Sequence, residues 1–227
     1  MNVKLIACTK VVDETIREQG IEWPEDLIAF CARVSNPSNQ FNTETADKLI
    51  AYLLRKKHFS PFEMVNVVLE INTTRDIARQ ILRHRSFTFQ EFSQRYADPT
   101  QSLEFVYREA RFQDAKNRQN SIEVDDSKLQ SMWLEQQKEV AMLAYTVYKW
   151  AIDNGIAKEV ARCVLPEGMT ESKLYVNGTL RSFIHYLDIR TGEETQKEHR
   201  EIARACAEAI SQIFPTINTF NHQNTNG

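Results

Sequence analysis

Apolar positions along the chain alternate between the period of a strand and that of a helix, and the changes of period mark its elements. Val3, Leu5, Ile6, Ala7, Val11 and Val12 read as a first strand over residues 3–12. Trp23-Pro24-Glu25-Asp26 sets a proline at a helix start; Leu27 to Val34 continue the helix and Asn36-Pro37 ends it. From near Thr43, Ala46, Leu49, Ile50, Leu53 and Leu54 recur at helical spacing, closed by Arg55-Lys56-Lys57 at the negative end of the dipole. Residues 58–63 turn into a buried strand, Val65 to Ile71. Thr73 or Thr74 then caps a helix to about Arg83, with Ile77, Ala78, Ile81 and Leu82 on one face and Asp76, Arg79, Gln80 and Arg83 on the other.

The second half reads as mostly helical. A long helix runs from about Lys128 to Asp153 and stops at Asn154-Gly155. A short one carries Val160, Ala161, Cys163, Val164 and Leu165 as its apolar side, which favours Cys163 as a core residue over a nucleophile. Another spans Gly178 to about Ile189, with Leu180, Phe183, Ile184 and Leu187 inward and Arg181, His185 and Asp188 beside them. The last runs from Glu193 to Phe214, before Pro215. The expected class is α+β: a small mixed sheet from residues 3–12, 63–71 and 100–112, packed with long helices. No glycine-rich fingerprint follows a strand, so the fold is non-Rossmann. Residues 1–220 are expected to form a single domain. The polar stretch 113–127 is a mobile loop within it, a domain boundary there being the alternative, and 221–227 is a disordered tail.

Composition removes several function classes. A net charge of −3 on 227 residues argues against a general nucleic-acid binder, so any anion site must be a local concentration of arginine. No apolar run approaches the roughly twenty residues of a membrane span. Cys8, Cys31, Cys163 and Cys206 form no CxxC pair, which favours a reducing cytoplasm over a disulfide framework. Leu5-Ile6-Ala7-Cys8 looks like a lipoprotein cleavage box, but the apolar run before it is too short for a signal peptide. The histidines include no HExxH, and no protein-held metal is expected.

The required concentration of arginine lies in residues 79–96. Arg79, Arg83, Arg85 and Arg95 stand there with His84, Gln80, Glu91 and Ser93, interleaved with Phe87, Phe89, Phe92 and Tyr96. Guanidinium forks match phosphate in two-point fashion, and aromatics beside them suit a flat ring carrying an anionic group. If 87–95 is extended, Glu91, Ser93 and Arg95 share one side; a helix would keep Glu91 with Arg95 and turn Ser93 away. A basic, solvated surface is the plain alternative.

Arg83-His84-Arg85, seven residues, Ser93, one residue and Arg95 together resemble the signature of the flavin-dependent thymidylate synthases. The resemblance extends to His58 with Ser60-Pro61-Phe62-Glu63, Ala78-Arg79-Gln80, Val160 to Pro166, Gly178 to Leu187, Arg190 and Gln196-Lys197-Glu198. It implies conversion of dUMP to dTMP, with a methylene from 5,10-methylenetetrahydrofolate and reduction by FAD that NADPH has reduced. It implies a dUMP pocket of Gln80, Ile81, Leu82, Arg83, Glu91, Phe92, Ser93, Gln94, Arg95, Arg162 and Arg190. It implies FAD contacts from Ser60, Arg83, His84, Arg85, Glu91, Thr179, Leu180, Arg181 and His185, in sites built at the interfaces of a homotetramer. Arg190 is the expected catalytic electrophile, a cation that stabilises negative charge on uracil. Ser93 is either substrate-binding or a nucleophile, and the second role needs a base such as His84 in reach. His58 and His185 each have a structural reading beside the functional one. Thr179 and Glu194 stand where some relatives carry Asn and His. The rival class is a non-catalytic nucleotide- or RNA-binding protein using the same arginine–aromatic cluster.

Overall fold

The valines and leucine at 67–69 form the middle of a strand that is buried for most of its length, and the sheet is assembled on it. The computed structural model describes residues 1–98 and 104–218. In it β2 (Asn66–Thr74) pairs with β1 (Asn2–Cys8) on one side and with β6 (Glu171–Thr179) on the other, and β6 takes β3 (Thr88–Glu91) on its far edge. Every pairing is antiparallel, so the sheet is not the mixed one that was expected. Along β6 the residues alternate: Ser172, Leu174, Val176 and Gly178 are buried, while Tyr175 and Asn177 face outward. That is the pattern of a sheet with one face on the core and one toward water.

β6 supplies a strand that was not expected, alongside those read over 3–12 and 63–71. Of residues 100–112, expected to form a strand, 100–103 lie outside the described part, and Phe105 makes one isolated bridge to Thr170. Beyond it, side chains of α5 (Ser127–Asp153) take over the backbone groups that a sheet would need. Gln137 accepts from the Arg108 amide and donates to its carbonyl, both at 2.8 Å. Gln130 does the same to Ala110 at 2.7 and 3.0 Å. The chain then forms a small antiparallel ribbon of β4 (Arg111–Gln113), which leads into the polar stretch, and β5 (Ser121–Glu123), which lies within it.

The remaining helices are α1 (Glu14–Arg17), α2 (Pro24–Ala32), α3 (Ala46–Arg55), α4 (Arg75–Ile81), α6 (Lys158–Ala161), α7 (Leu180–Arg190) and α8 (Lys197–Ser211). Asp126 caps α5 by accepting from the Lys128 and Leu129 amides, and Gly155, at φ 76°, follows its end. α8 begins later than expected because residues 192–196 form a turn, in which Thr195 Oγ1 donates to the Ile189 carbonyl at 3.2 Å. Cys163 is exposed, which corrects its reading as a core residue: α6 is a single turn that buries Ala161, and Val160 and Val164 also face solvent.

α4, α7 and α8 contribute Ile77, Ile81, Phe183, Leu187, Cys206 and Ile210 to the core against Leu69, Ile71, Leu174 and Val176. On the other face of the sheet Tyr175 donates to Glu70 at 2.8 Å. Gly178 lies beneath Phe87, where a Cβ would collide with the ring, and that ring packs 4.6 Å from Phe183. Residues 221–227, the expected tail, lie outside the described residues. Among the described residues no helix is long and apolar enough to cross a membrane.

Candidate active site

β2 passes without a loop into α4, so the polar residues at the end of α4 emerge beside the sheet. Ile81 is buried and Leu82 packs against the core, which leaves these two only their backbone to offer a ligand. Arg83 and Arg85 are exposed, and His84 turns inward. Its Nε2 accepts from Arg190 Nε at 2.9 Å, and its ring stands edge-on to Tyr186 at 5.0 Å. Because a guanidinium N–H only donates, that Nε2 carries no proton. Burial, with the Arg190 charge next, lowers the His84 pKa to about 4. Arg190, at the end of α7, is thereby joined to the arginine cluster.

Gln80 faces a buried polar chain. His199, fully buried, meets Gln80 Oε1 through Nδ1 at 3.0 Å and the Tyr186 hydroxyl through Nε2 at 3.1 Å. Gln80 Nε2 donates to Gln196 Oε1 at 2.8 Å, and Gln196 Nε2 donates to Glu198 Oε2 at 2.9 Å. Arg111 pairs with Glu198, and Arg108 lies 3.9 Å from it.

A pair of guanidiniums meets at Glu159. Arg95 Nε donates to its carboxylate at 3.2 Å and Arg162 Nε to its carbonyl at 3.3 Å. Lys158 joins them through the Tyr96 carbonyl at 3.1 Å. Gln94, only 3% exposed, lies between Ser93 and Arg95 in sequence, and its Nε2 has no hydrogen-bond partner among the described residues. A buried amide donor without an acceptor is the kind of group a ligand completes. In the chain, β3, roughly 13 Å of strand, lies between Arg83 and Arg95.

The extended reading of 87–95 holds only to Glu91, with the Phe92 amide adding one bond to the Lys173 carbonyl at 2.9 Å. The turn that follows sends Arg95 toward Glu159, while Glu91 accepts from Ser172 at 2.7 Å and lies 3.8 Å from Arg75. Glu91 and Arg95 therefore diverge in one protomer, contrary to either expectation. Ser93 Oγ accepts from the Arg95 amide at 3.4 Å, and His84, the base considered for it, is held by Arg190.

The residues matched to flavin contacts lie mainly around the start of α7. Thr179 Oγ1 accepts from the Ser182 amide at 3.2 Å and caps the helix; Leu180 is buried. Arg181 pairs with Glu63 at 2.8 Å, in the turn that Ser60 opens. Ser182 donates to the Ser86 carbonyl at 3.3 Å, which ties the turn after α4 to the same helix. His185 is exposed, and His58 stands edge-on to Tyr52 at 6.2 Å. An open cavity of about 450 Å³ between α2 and α3, lined by Arg33 and Lys48 among others, contains none of these residues.

Sequence reasoning missed Glu159, Tyr186 and His199. Only His199 carried a local signal: it falls on the same α8 face as Ile202, Ala203 and Cys206, so a histidine interrupts an apolar stripe.

Residues 14–216 match the family model described as thymidylate synthase complementing protein. The chain is 46% identical over 217 residues to the probable flavin-dependent thymidylate synthase of Paramecium bursaria Chlorella virus 1, covering 96% of this chain and 97% of that one. It is also 46% identical over 217 residues to the flavin-dependent thymidylate synthase of Synechocystis sp., with the same coverage. Among solved structures, a UMP/dUMP methylase from Streptomyces cacaoi bound with 5-Br dUMP shares the fold at a TM-score of 0.76 and 24% identity, covering 96% of this chain and 93% of that one.

Proposed function

The chain belongs to the flavin-dependent thymidylate synthase family, and we propose that it makes dTMP from dUMP, taking a methylene from 5,10-methylenetetrahydrofolate and reducing equivalents from NADPH. The observation that carries this reading is the spatial grouping of the signature residues with distant ones: Arg190 on His84, and Arg162 beside Arg95 on Glu159.

Arg95 and Arg162 form the phosphate end of the dUMP site. Among the described residues each bonds through its Nε, and its terminal guanidinium nitrogens are the donors we assign to the anion. The unpartnered Gln94 amide adds a neutral donor nearby, and Ser93 serves binding. Gln80 and Arg83 line the nucleoside end. Arg190 is held by His84 through Nε, which orients the rest of its guanidinium; set beside the uracil ring, that cation stabilises negative charge on the ring and makes C5 more nucleophilic.

The donors at the rim of α7 fit FAD: Arg181, Arg85 and His185 are exposed cations or imidazole, with the Ser60 hydroxyl on the adjoining turn. FAD, when bound, supplies the hydride that NADPH delivers to it. The chain's own part is to hold the pyrophosphate with Arg85 and Arg181 and to keep the uracil beside Arg190.

Arg190 with His84 and the Arg95–Arg162 pair are joined in the chain through the two ends of β3, and a homotetramer with sites at its interfaces brings them to one nucleotide. The exposed Met132, Trp133, Val140, Leu143, Val147 and Trp150 of α5 supply apolar surface for such contacts. Unpaired cysteines fit a cytoplasmic setting.

The test is direct. Purified protein is expected to show flavin absorbance and to release tritium from [5-³H]dUMP only with methylenetetrahydrofolate and NADPH. A colourless protein that binds single-stranded RNA and oxidises no NADPH would overturn the proposal.

A further inference from the structure

The chain of side chains behind Gln80 has a single possible polarity. Glu198 is 5% exposed, its pKa is held low, and it pairs with Arg111, so it is ionised and only accepts. Gln196 therefore presents Nε2 to Glu198 and Oε1 to Gln80. Gln80 must answer with Nε2, which turns its Oε1 to His199. His199 must donate from Nδ1, and its Nε2 then accepts from Tyr186. A flipped Gln80 amide would set acceptor against acceptor at Gln196 and push His199 into its other tautomer, reversing its bond to Tyr186.

We infer that His199, backed by Tyr186, is a positioning residue that anchors the Oε1 end of the Gln80 amide, whose polarity Gln196 sets, for nucleotide binding. The inference rests on the reading that Gln80 contacts dUMP. His199 touches no ligand itself. It leaves Gln80 one Nε2 hydrogen and one Oε1 lone pair, always in the same places, to recognise a nucleoside. The Tyr186 ring lies against His84, so the same pair also borders the imidazole that holds Arg190.

The experiment measures dUMP affinity by calorimetry on the flavin-loaded enzyme, with melting temperature recorded on the same samples. His199→Leu keeps the volume and removes both hydrogen bonds; His199→Asn leaves a cavity but restores a donor near the Nδ1 position. His199→Leu is expected to weaken dUMP roughly tenfold, and His199→Asn to recover most of that loss although it is the less stable of the two. KM for dUMP is expected to follow the affinity, with kcat changing by less than about threefold. Affinity that tracks melting temperature across the variants, or a His199→Leu enzyme that binds dUMP like the wild type, would overturn the inference. Failure of the wild type to bind dUMP would instead remove the functional reading beneath it.

Discussion

Arg190 and His84, 106 residues apart, share a hydrogen bond of 2.9 Å that fastens the end of α7 to the turn after α4. A neutral imidazole accepting from a guanidinium leaves the full positive charge on the arginine, whereas a carboxylate partner would neutralise it. The cation stays available for a developing anion, and its direction is set by the ring.

Arg190→Ala is therefore expected to lower tritium release from dUMP by about 10²-fold, with flavin content unchanged. Arg190→Lys keeps the charge without the planar fork and is expected to recover only part of the rate. Single-turnover rates of the loaded enzyme check both.

The phosphate assignment of Arg162 separates nucleotide from nucleoside. Arg162→Ala is expected to weaken dUMP by roughly 10- to 100-fold and to leave deoxyuridine nearly unaffected. Equal losses for the two ligands, measured by competition, would place Arg162 elsewhere.

His84 and His199 fall from the ordinary 6.5 to about 4 and about 3, both through burial first. Each folded-state value lies below the unfolded one, so the unfolded chain takes up protons first as the pH drops. Their stabilising effect is complete above pH 6.5 and is lost on going down through 6.5 toward 4 and 3. For the buried His199 the loss has a limiting slope of ~1.4 kcal/mol per pH unit. Denaturant midpoints at pH 7.5 and 5 are expected to differ in this sense, and His199→Leu to narrow the difference.

Leu143 and Trp150 present apolar side chains to solvent from α5. Replacing either by Glu is expected to shift the protein to smaller species in light scattering and to reduce bound flavin in parallel. A wild-type monomer that holds a full complement of flavin would contradict the shared site.

The parts of this fold legible in sequence are those set by local periodicity. α3 and α7 follow from their apolar spacing, and the end of α5 at Asn154-Gly155 from the backbone freedom of glycine. β6 escaped notice although Ser172, Leu174, Val176 and Gly178 alternate cleanly, because it lies between two helical segments and pairs with β2 about a hundred residues earlier. The error over 100–112 has the same origin, since no local pattern shows that Gln130 and Gln137 will satisfy the backbone of Arg108 and Ala110. In the site, spacing marked the cluster at 83–95, and the resemblance added Arg162 and Arg190. The partners that orient them, Glu159 on one arginine pair and His84 on Arg190, needed the tertiary fold.

Gly178 carries one last implication. With the Phe87 ring occupying the room of a missing methyl, sheet and α7 approach to the thickness of one aromatic plane. His84, whose ring lies 6.3 Å from that of Phe87, holds Arg190, so the seat of this hydrogen-bonded pair is inherited from a hydrogen atom at position 178. A methyl there would act as a shim, spreading two surfaces that never touch the nucleotide and misaligning two groups well away from it.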